Sequence, residues 1–474
     1  MTNVFRKAGN LVVTIGLGVA LSMLGVTKAH AIPSFARQTG FSCDVCHTVF
    51  PHLTPFGKDF KLHGYTMDTS KTVHADDSDK TMPGLSINKI PMLSVRIVSR
   101  WNNQAGGQQQ VPGGAVTAGQ GFMSHPGGYG NADVLNLVGD SSIYIAGKIA
   151  PHLGTFLELT GIDDEGGTLG LGIFDLALVG NDTTLGSKRL VYGVRAVDAA
   201  DMGDPSNTFG MWGITSTLMA MSTHNTLFDP NQAVVEGGEL YGMWGDFETG
   251  GLYGSLGVYN PSQNQTGNGF VQGNIATNGS FEGSTGENGA VRLAYYIPSF
   301  SNVHTEVGAY TYFGPESMLA PTASTVGIYK DNFLSYGVDV QAQWITDNNL
   351  AELFAVYENE NDSKFYGTDA YSGTSYATNG TSVSRTGLGI IADYYFRRTY
   401  GAYVKYFYRD SAKVQDVNMS GVSFGLSWYA FENANLRLEE TMFSKYNAGA
   451  IQYGNNSLSP SDFDVTAVKF EYAF

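Results

Sequence analysis

The stretch Tyr336–Trp344, YGVDVQAQW, sorts its side chains by parity. Tyr336, Val338, Val340, Ala342 and Trp344 form one set; Asp339, Gln341 and Gln343 belong to the other. Period two belongs to an extended strand, whose successive side chains leave opposite faces. The alternation recurs where Val422, Phe424, Leu426 and Trp428 interleave with Ser423, Gly425 and Ser427. It recurs again where Leu388, Ile390, Ala392, Tyr394 and Phe396 interleave with Gly389, Ile391, Asp393, Tyr395 and Arg397, although Ile391 and Tyr395 blur the polar side. A soluble sandwich gives this pattern too, with its apolar face turned inward. Here the apolar faces end in aromatic residues, as the interfacial girdles of a transmembrane barrel do.

Strands of this kind run from about Asn88 to Phe474 and number about sixteen, an even count within the range of bacterial barrels. Their connections alternate in length. Pro151-His152-Leu153-Gly154, Asp246 to Gly251, Thr346 to Asn349 and Arg398-Thr399 are tight, whereas those near 102–134, 198–235, 261–286, 361–384 and 447–462 are long and polar. Short periplasmic turns and long external loops are the outer-membrane arrangement. Met211 to Met219, inside one long connection, is a further strand candidate. The final VTAVKFEYAF alternates as well, with Val468, Phe470, Tyr472 and Phe474 on one face, and it resembles the Phe-ended last strand of outer-membrane barrels.

Composition agrees with this reading. The chain of 474 residues carries 60 Gly, 27 Tyr and 27 Phe, and only 15% of its residues are charged. No stretch after the leader is apolar for the ~20 residues of a spanning helix. The net charge of −16 argues against nucleic acid as a partner and is compatible with attracting cations. Solubility of the loops explains the acidity equally well. Acidic clusters at Asp163-Asp164-Glu165, Asp198/Asp201/Asp204 and Glu358/Glu360/Asp362 fall on the external side by strand parity.

The beginning of the chain has a different character. Arg6 and Lys7 precede an apolar run from Leu11 to Val26, and Ala29-His30-Ala31 supplies a small-residue cleavage site. Residues 1–31 therefore read as a secretory signal peptide. Residues 32–75 follow, with four of the nine histidines, and 76–87, opening Asp76-Asp77-Ser78-Asp79, read as a linker to the barrel at 88–474.

Within 32–75 lies TGFSCDVCHTVFP, holding Cys43 and Cys46, the only two cysteines of the chain, and His47 beside them. Cys-x-x-Cys-His is the attachment signature of a c-type haem, with thioethers from the two thiols and an axial nitrogen from the histidine. A thioredoxin-like pair calls for a βαβ setting, and a zinc site calls for further ligands at motif spacing. We therefore expect one covalent haem c on Cys43 and Cys46, with His47 as proximal ligand. For the distal position Met67 and His63 are the first candidates, ahead of His74, Met82 and Met92. Met ligation raises the reduction potential, while packing in a haem pocket is the ordinary role for Met67. His52 is too near in sequence and reads as an ordinary polar residue. Arg37, Lys58 and Lys61 are candidate partners for haem propionates or solvated surface charges.

Residues 31–66, AIPSFARQTGFSCDVCHTVFPHLTPFGKDFKLHGYT, resemble the cytochrome segment of the fused monohaem cytochrome–porin iron oxidases of iron-oxidising bacteria. The resemblance is carried by Pro33, Phe35, Ala36, Arg37, Gln38, Thr39 and Gly40, and then by Pro51, Leu53, Pro55, Phe56, Gly57, Phe60, Gly64 and Tyr65. It covers less than a tenth of the chain, and the barrel half offers no sharp motif. It implies an outer-membrane oxidoreductase that takes electrons from extracellular Fe(II) and passes them to periplasmic carriers. Outward transfer, another donor, and a diffusion porin with a structural haem are the alternatives. The segment is too small to build a sufficient core alone, so we expect it, mostly helical or irregular, to plug the barrel lumen.

Overall fold

The computed structural model describes residues 33–68, 72–74, 86–88, 92–104, 133–136, 141–160, 170–199, 203–207, 235–261, 288–319, 328–365, 368–369, 374–375, 380–413, 418–446 and 460–474. The signal peptide, Met82, Met211 to Met219 and the acidic run at 163–165 lie outside these residues.

Among the described residues, sixteen antiparallel strands close into one barrel. They are β1 Leu93–Gln104, β2 Ser142–Ala150, β3 Leu153–Thr160, β4 Gly170–Val179, β5 Lys188–Ala199, β6 Val235–Asp246, β7 Gly250–Pro261 and β8 Asn288–Phe300. The second half comprises β9 Val303–Leu319, β10 Ile328–Ile345, β11 Asn349–Phe365, β12 Thr381–Phe396, β13 Tyr400–Ser411, β14 Met419–Phe431, β15 Ala434–Tyr446 and β16 Val465–Ala473. The short strand Asp133–Asn136 continues β2 against the upper part of β1, and Thr183–Leu185 continues β4 against β5. β16 returns to β1 in a register from Val465↔Gln104 to Ala473↔Arg96, and Phe474 and Val95 exchange backbone hydrogen bonds beyond it.

The faces of the wall are inverted relative to a soluble protein. On β10, Leu334, Tyr336, Val338, Val340 and Trp344 are 37–52% exposed, while Ser335, Asp339, Gln341 and Gln343 are at most 1% exposed. Leu240, Leu256, Val258, Leu293 and Leu426 stand outward on other strands in the same way. An apolar outer face on a closed sheet is stable only against lipid, where closure also satisfies every edge N–H and C=O. The chain is a porin-like barrel of the bacterial outer membrane. No helix among the described residues is long and apolar enough to cross a membrane.

Two expectations need correction. The barrel begins at Leu93 rather than 88, because Ser86–Asn88 pairs with Thr72–His74 in a separate two-stranded sheet that brackets the linker. Glu358, Glu360, Asp362 and Asp204, assigned to the external side by strand parity, are buried inside the barrel rather than open to solvent. The first three share the inward parity of β11. Arg385 donates to Glu360 at 3.0 Å and also to Asp362, and Ser335 donates to Glu358. Their charge reads as loop-like in sequence, but strand pairing continues above the apolar band and turns them toward partners. Asp198 lies on β5.

Candidate functional site

Three short helices occupy the lumen: α1 Pro33–Thr39, α2 Cys43–Cys46 and α3 Pro55–Leu62. Proline at the first turn of α1 and α3 sets φ where no N–H partner is needed. Thr54 caps α3 by accepting from Gly57 N–H at 3.1 Å. Phe35, Phe60 and Tyr65 form a small aromatic core, with Phe35 stacked on Tyr65 at 5.1 Å and edge-on to Phe60 at 5.0 Å.

The segment is held to the wall on many sides. Gln38 donates to the carbonyls of Tyr65 and Met67 at 2.6 and 2.8 Å and accepts from Lys148 N–H at 2.8 Å. Tyr65 donates to Asp175 at 2.7 Å, and Tyr241 donates to the Leu62 carbonyl at 2.8 Å. Lys58, buried, donates to Gln341 at 2.6 Å and lies 3.5 Å from Glu306. Burial lowers its pKa, while Glu306 and Asp204 oppose that shift. Val49 packs with Leu350, Phe354, Ile391, Tyr395 and Tyr403 on the opposite wall. Gly154 and Gly64 permit contact at backbone distance: a Cβ on Gly154 would sit 1.9 Å from the Gly64 carbonyl oxygen. Residues 33–68 thus cross the lumen from wall to wall.

A stretch of the β5–β6 connection folds inward to meet them. Asp204 lies 3.6 Å from Arg292, and Lys61 donates to the Asp204 carbonyl and to Asn207 at 2.8 Å each. Asn207 donates to the Pro51 carbonyl at 3.0 Å. Arg292 also holds Asp339 and Glu306, at 2.7 and 3.0 Å.

The cysteine motif sits on this platform. Cys43 and Cys46 lie on α2 with no disulfide between them, and Cys43 is buried. Burial, together with Asp44, pushes the Cys46 thiol up to about 12. Arg398, in the tight β12–β13 turn, pairs with Asp44 at 3.0 Å and ties the motif to the short-turn end of the barrel. The chain reverses after His47 in a small loop: Thr54 N–H donates to the Cys46 carbonyl at 3.0 Å, and His52 N–H to Val49 at 2.6 Å. α3 then closes on α2 so tightly that a Cβ on Gly57 would lie 2.0 Å from the Cys46 carbonyl oxygen. His47 Nδ1 lies 3.2 Å from the carbonyl of His52. Burial brings its pKa down to about 4, partly offset by the His52 and Pro51 carbonyls, so the ring is neutral at physiological pH. A neutral imidazole donating Nδ1–H to a carbonyl presents Nε2 as the ligating nitrogen. Thiols one helical turn apart and an oriented histidine fit haem c.

His63 has both ring nitrogens engaged, Nδ1 with the Asp59 carbonyl at 2.7 Å and Nε2 with Asp182 at 3.0 Å. Met67 is half-buried and held by its carbonyl to Gln38. Met92 packs over Gly147 of the wall. Arg37 donates to the Leu93 carbonyl, and Lys58 and Lys61 serve the contacts above. Sequence reasoning passed over Gln38 and His52 as anchors, and Glu352 and Asp393 on the wall. Period-two inward polarity signals the last two, but not their meeting with His52.

No family model matches the chain, and no curated protein matches it. Among solved structures it is similar in fold to the outer-membrane protein OmpT of Vibrio cholerae, at 8% identity and TM-score 0.43, covering 81% of this chain and 97% of that one. It is also similar to OmpF of Salmonella typhi, at 14% identity and TM-score 0.43, with 81% and 97% covered. An anion-selective porin from Comamonas acidovorans gives 8% identity and TM-score 0.43, with 81% and 98% covered.

Proposed function

We propose that this chain is an outer-membrane electron-transfer protein that oxidises extracellular Fe(II) and passes the electron to periplasmic carriers through a haem c held by Cys43, Cys46 and His47. The observation that carries this reading is the Cys-x-x-Cys-His turn mounted on a segment crossing the lumen, with its histidine oriented by the His52 carbonyl. Haem, when bound, supplies a one-electron carrier at a point that an insulating bilayer otherwise denies. Cys43 and Cys46 hold it covalently, His47 ligates its iron, and Arg398, Thr54 and Gly57 fix the turn that presents all three. Iron as the donor rests on the resemblance of residues 31–66.

The porin-like wall favours a second reading, diffusion of small solutes. Against it stand the wall-to-wall contacts of Lys58, Gln38 and Tyr65, which leave the segment in the path of flow. Haem staining that survives denaturation, followed by anaerobic mixing with ferrous iron, tests the proposal. We expect covalent stain and a rapidly developing reduced cytochrome spectrum, both lost in Cys43→Ser/Cys46→Ser. Protein that inserts without covalent haem, or that stays oxidised across ferrous concentrations, overturns it in favour of the diffusion pore.

A further inference from the structure

Beside the cysteine motif, His52 meets two acids of the barrel wall. One atom each from His52, Glu352 and Asp393 lies within 4.8 Å of the others, and all three residues are buried. Glu352 and Asp393 are direct cross-strand partners on β11 and β12. Like charges opposed in this way repel, and burial sharpens the repulsion. Glu352 is compensated: Oε1 accepts from Gln343 at 2.6 Å, and Oε2 lies 3.0 Å from His52 Nδ1. Asp393 is not. It is 6% exposed, and neither of its carboxylate oxygens has a hydrogen-bond donor among the described residues. Arg437 exerts its charge on Asp393 but directs Nε to Asn435 and Nη2 to the Phe50 carbonyl and the Tyr429 hydroxyl. Two facing carboxylates with no donor between them require either a shared proton or a cation.

We propose that His52, Glu352 and Asp393 bind one first-row divalent cation. A set of one imidazole and two carboxylates suits Fe(II), Mn(II) or Zn(II), whereas Ca(II) and Mg(II) take oxygen ligands and Cu(I) prefers sulfur. In an octahedral shell, metal–ligand bonds of ~2.1 Å at right angles place neighbouring ligand atoms ~3.0 Å apart. His52 Nδ1 and Glu352 Oε2 have that separation. The imidazole is held by stacking on Phe354 at 4.0 Å, and Gln343 orients Glu352, so two ligands are preorganised. The site joins the lumen segment to the wall, and the His52 main chain that carries it also orients His47.

The test needs no haem readout. Detergent-purified full-length protein, stripped with chelator, is titrated with Mn(II) alone, and unbound Mn(II) is followed by its EPR signal. Wild type should bind one equivalent, displaced by Zn(II). Asp393→Asn and Glu352→Gln should weaken binding beyond the ~10–100-fold that loss of a supporting partner causes. Asp182→Asn, remote from the cluster, should bind as wild type does. Heat-modifiable migration identifies the inserted barrels; where one acid variant does not insert, the other and His52→Ala give the same comparison. Variants that bind Mn(II) as tightly as wild type, or wild type that binds none, overturn the site and leave the two carboxylates sharing a proton.

Discussion

On β10, Val338 faces lipid half-exposed while its neighbour Asp339 is buried against Arg292. In the lumen segment the order reverses: Phe35, Phe60 and Tyr65 turn inward on one another, while Lys58 and Gln38 reach outward to the wall. The wall gains its stability from strand pairing and from lipid, and it uses its inner face for charge. The segment has too few residues for a sufficient core, and that inner face supplies the partners it lacks. Neither part therefore completes its polar pairing alone. Lys58 completes the Glu306 and Gln341 side of the lumen, and Tyr65 completes Asp175.

Breaking this dependence at its root should have the largest effect. Cys43→Ser/Cys46→Ser should abolish covalent haem while leaving a heat-modifiable barrel, read by gel staining and migration. Deleting residues 33–68 should leave an inserted barrel with much higher single-channel conductance, since the wall pairs strand to strand without the segment. Unchanged conductance would mean that the segment does not obstruct the lumen.

Smaller perturbations sharpen the same contrast. Arg292→Met strands Asp339, Glu306 and Asp204 together and should cost about 3–5 kcal/mol, read from the urea midpoint of the folded-barrel band. Gly57→Ala drives a Cβ into the Cys46 carbonyl and should cost about 1–3 kcal/mol, confined to the segment and visible as lower haem occupancy with the barrel intact. Thr54→Ala removes one helix cap and should cost about 1 kcal/mol.

Much of the wall is legible in the sequence because lipid enforces alternation: Tyr336–Trp344 reveals a strand and its faces at once. The strand ends are less legible. Near Glu316 and Lys330 the ladder of β9 and β10 continues where no apolar band marks it. The cysteine motif is legible because its spacing is chemical. Its supports are not, since the contact of His52 with Glu352 joins positions 300 residues apart that no local pattern relates. The buried acids mislead for a related reason: Glu358, Glu360 and Asp362 carry the composition of a loop but the inward parity of a strand, with Arg385 on β12 as the partner of Glu360 and Asp362 and Ser335 on β10 as the partner of Glu358.

On the function proposed above, this wall and its plug carry electrons rather than solutes. Liposomes containing the protein, with oxidised soluble cytochrome c trapped inside and ferrous iron added outside under anaerobic conditions, test it directly. We predict that the trapped acceptor is reduced with wild type and stays oxidised with Cys43→Ser/Cys46→Ser. An acceptor that stays oxidised with haem-loaded wild type, while small solutes cross freely, would contradict the claim.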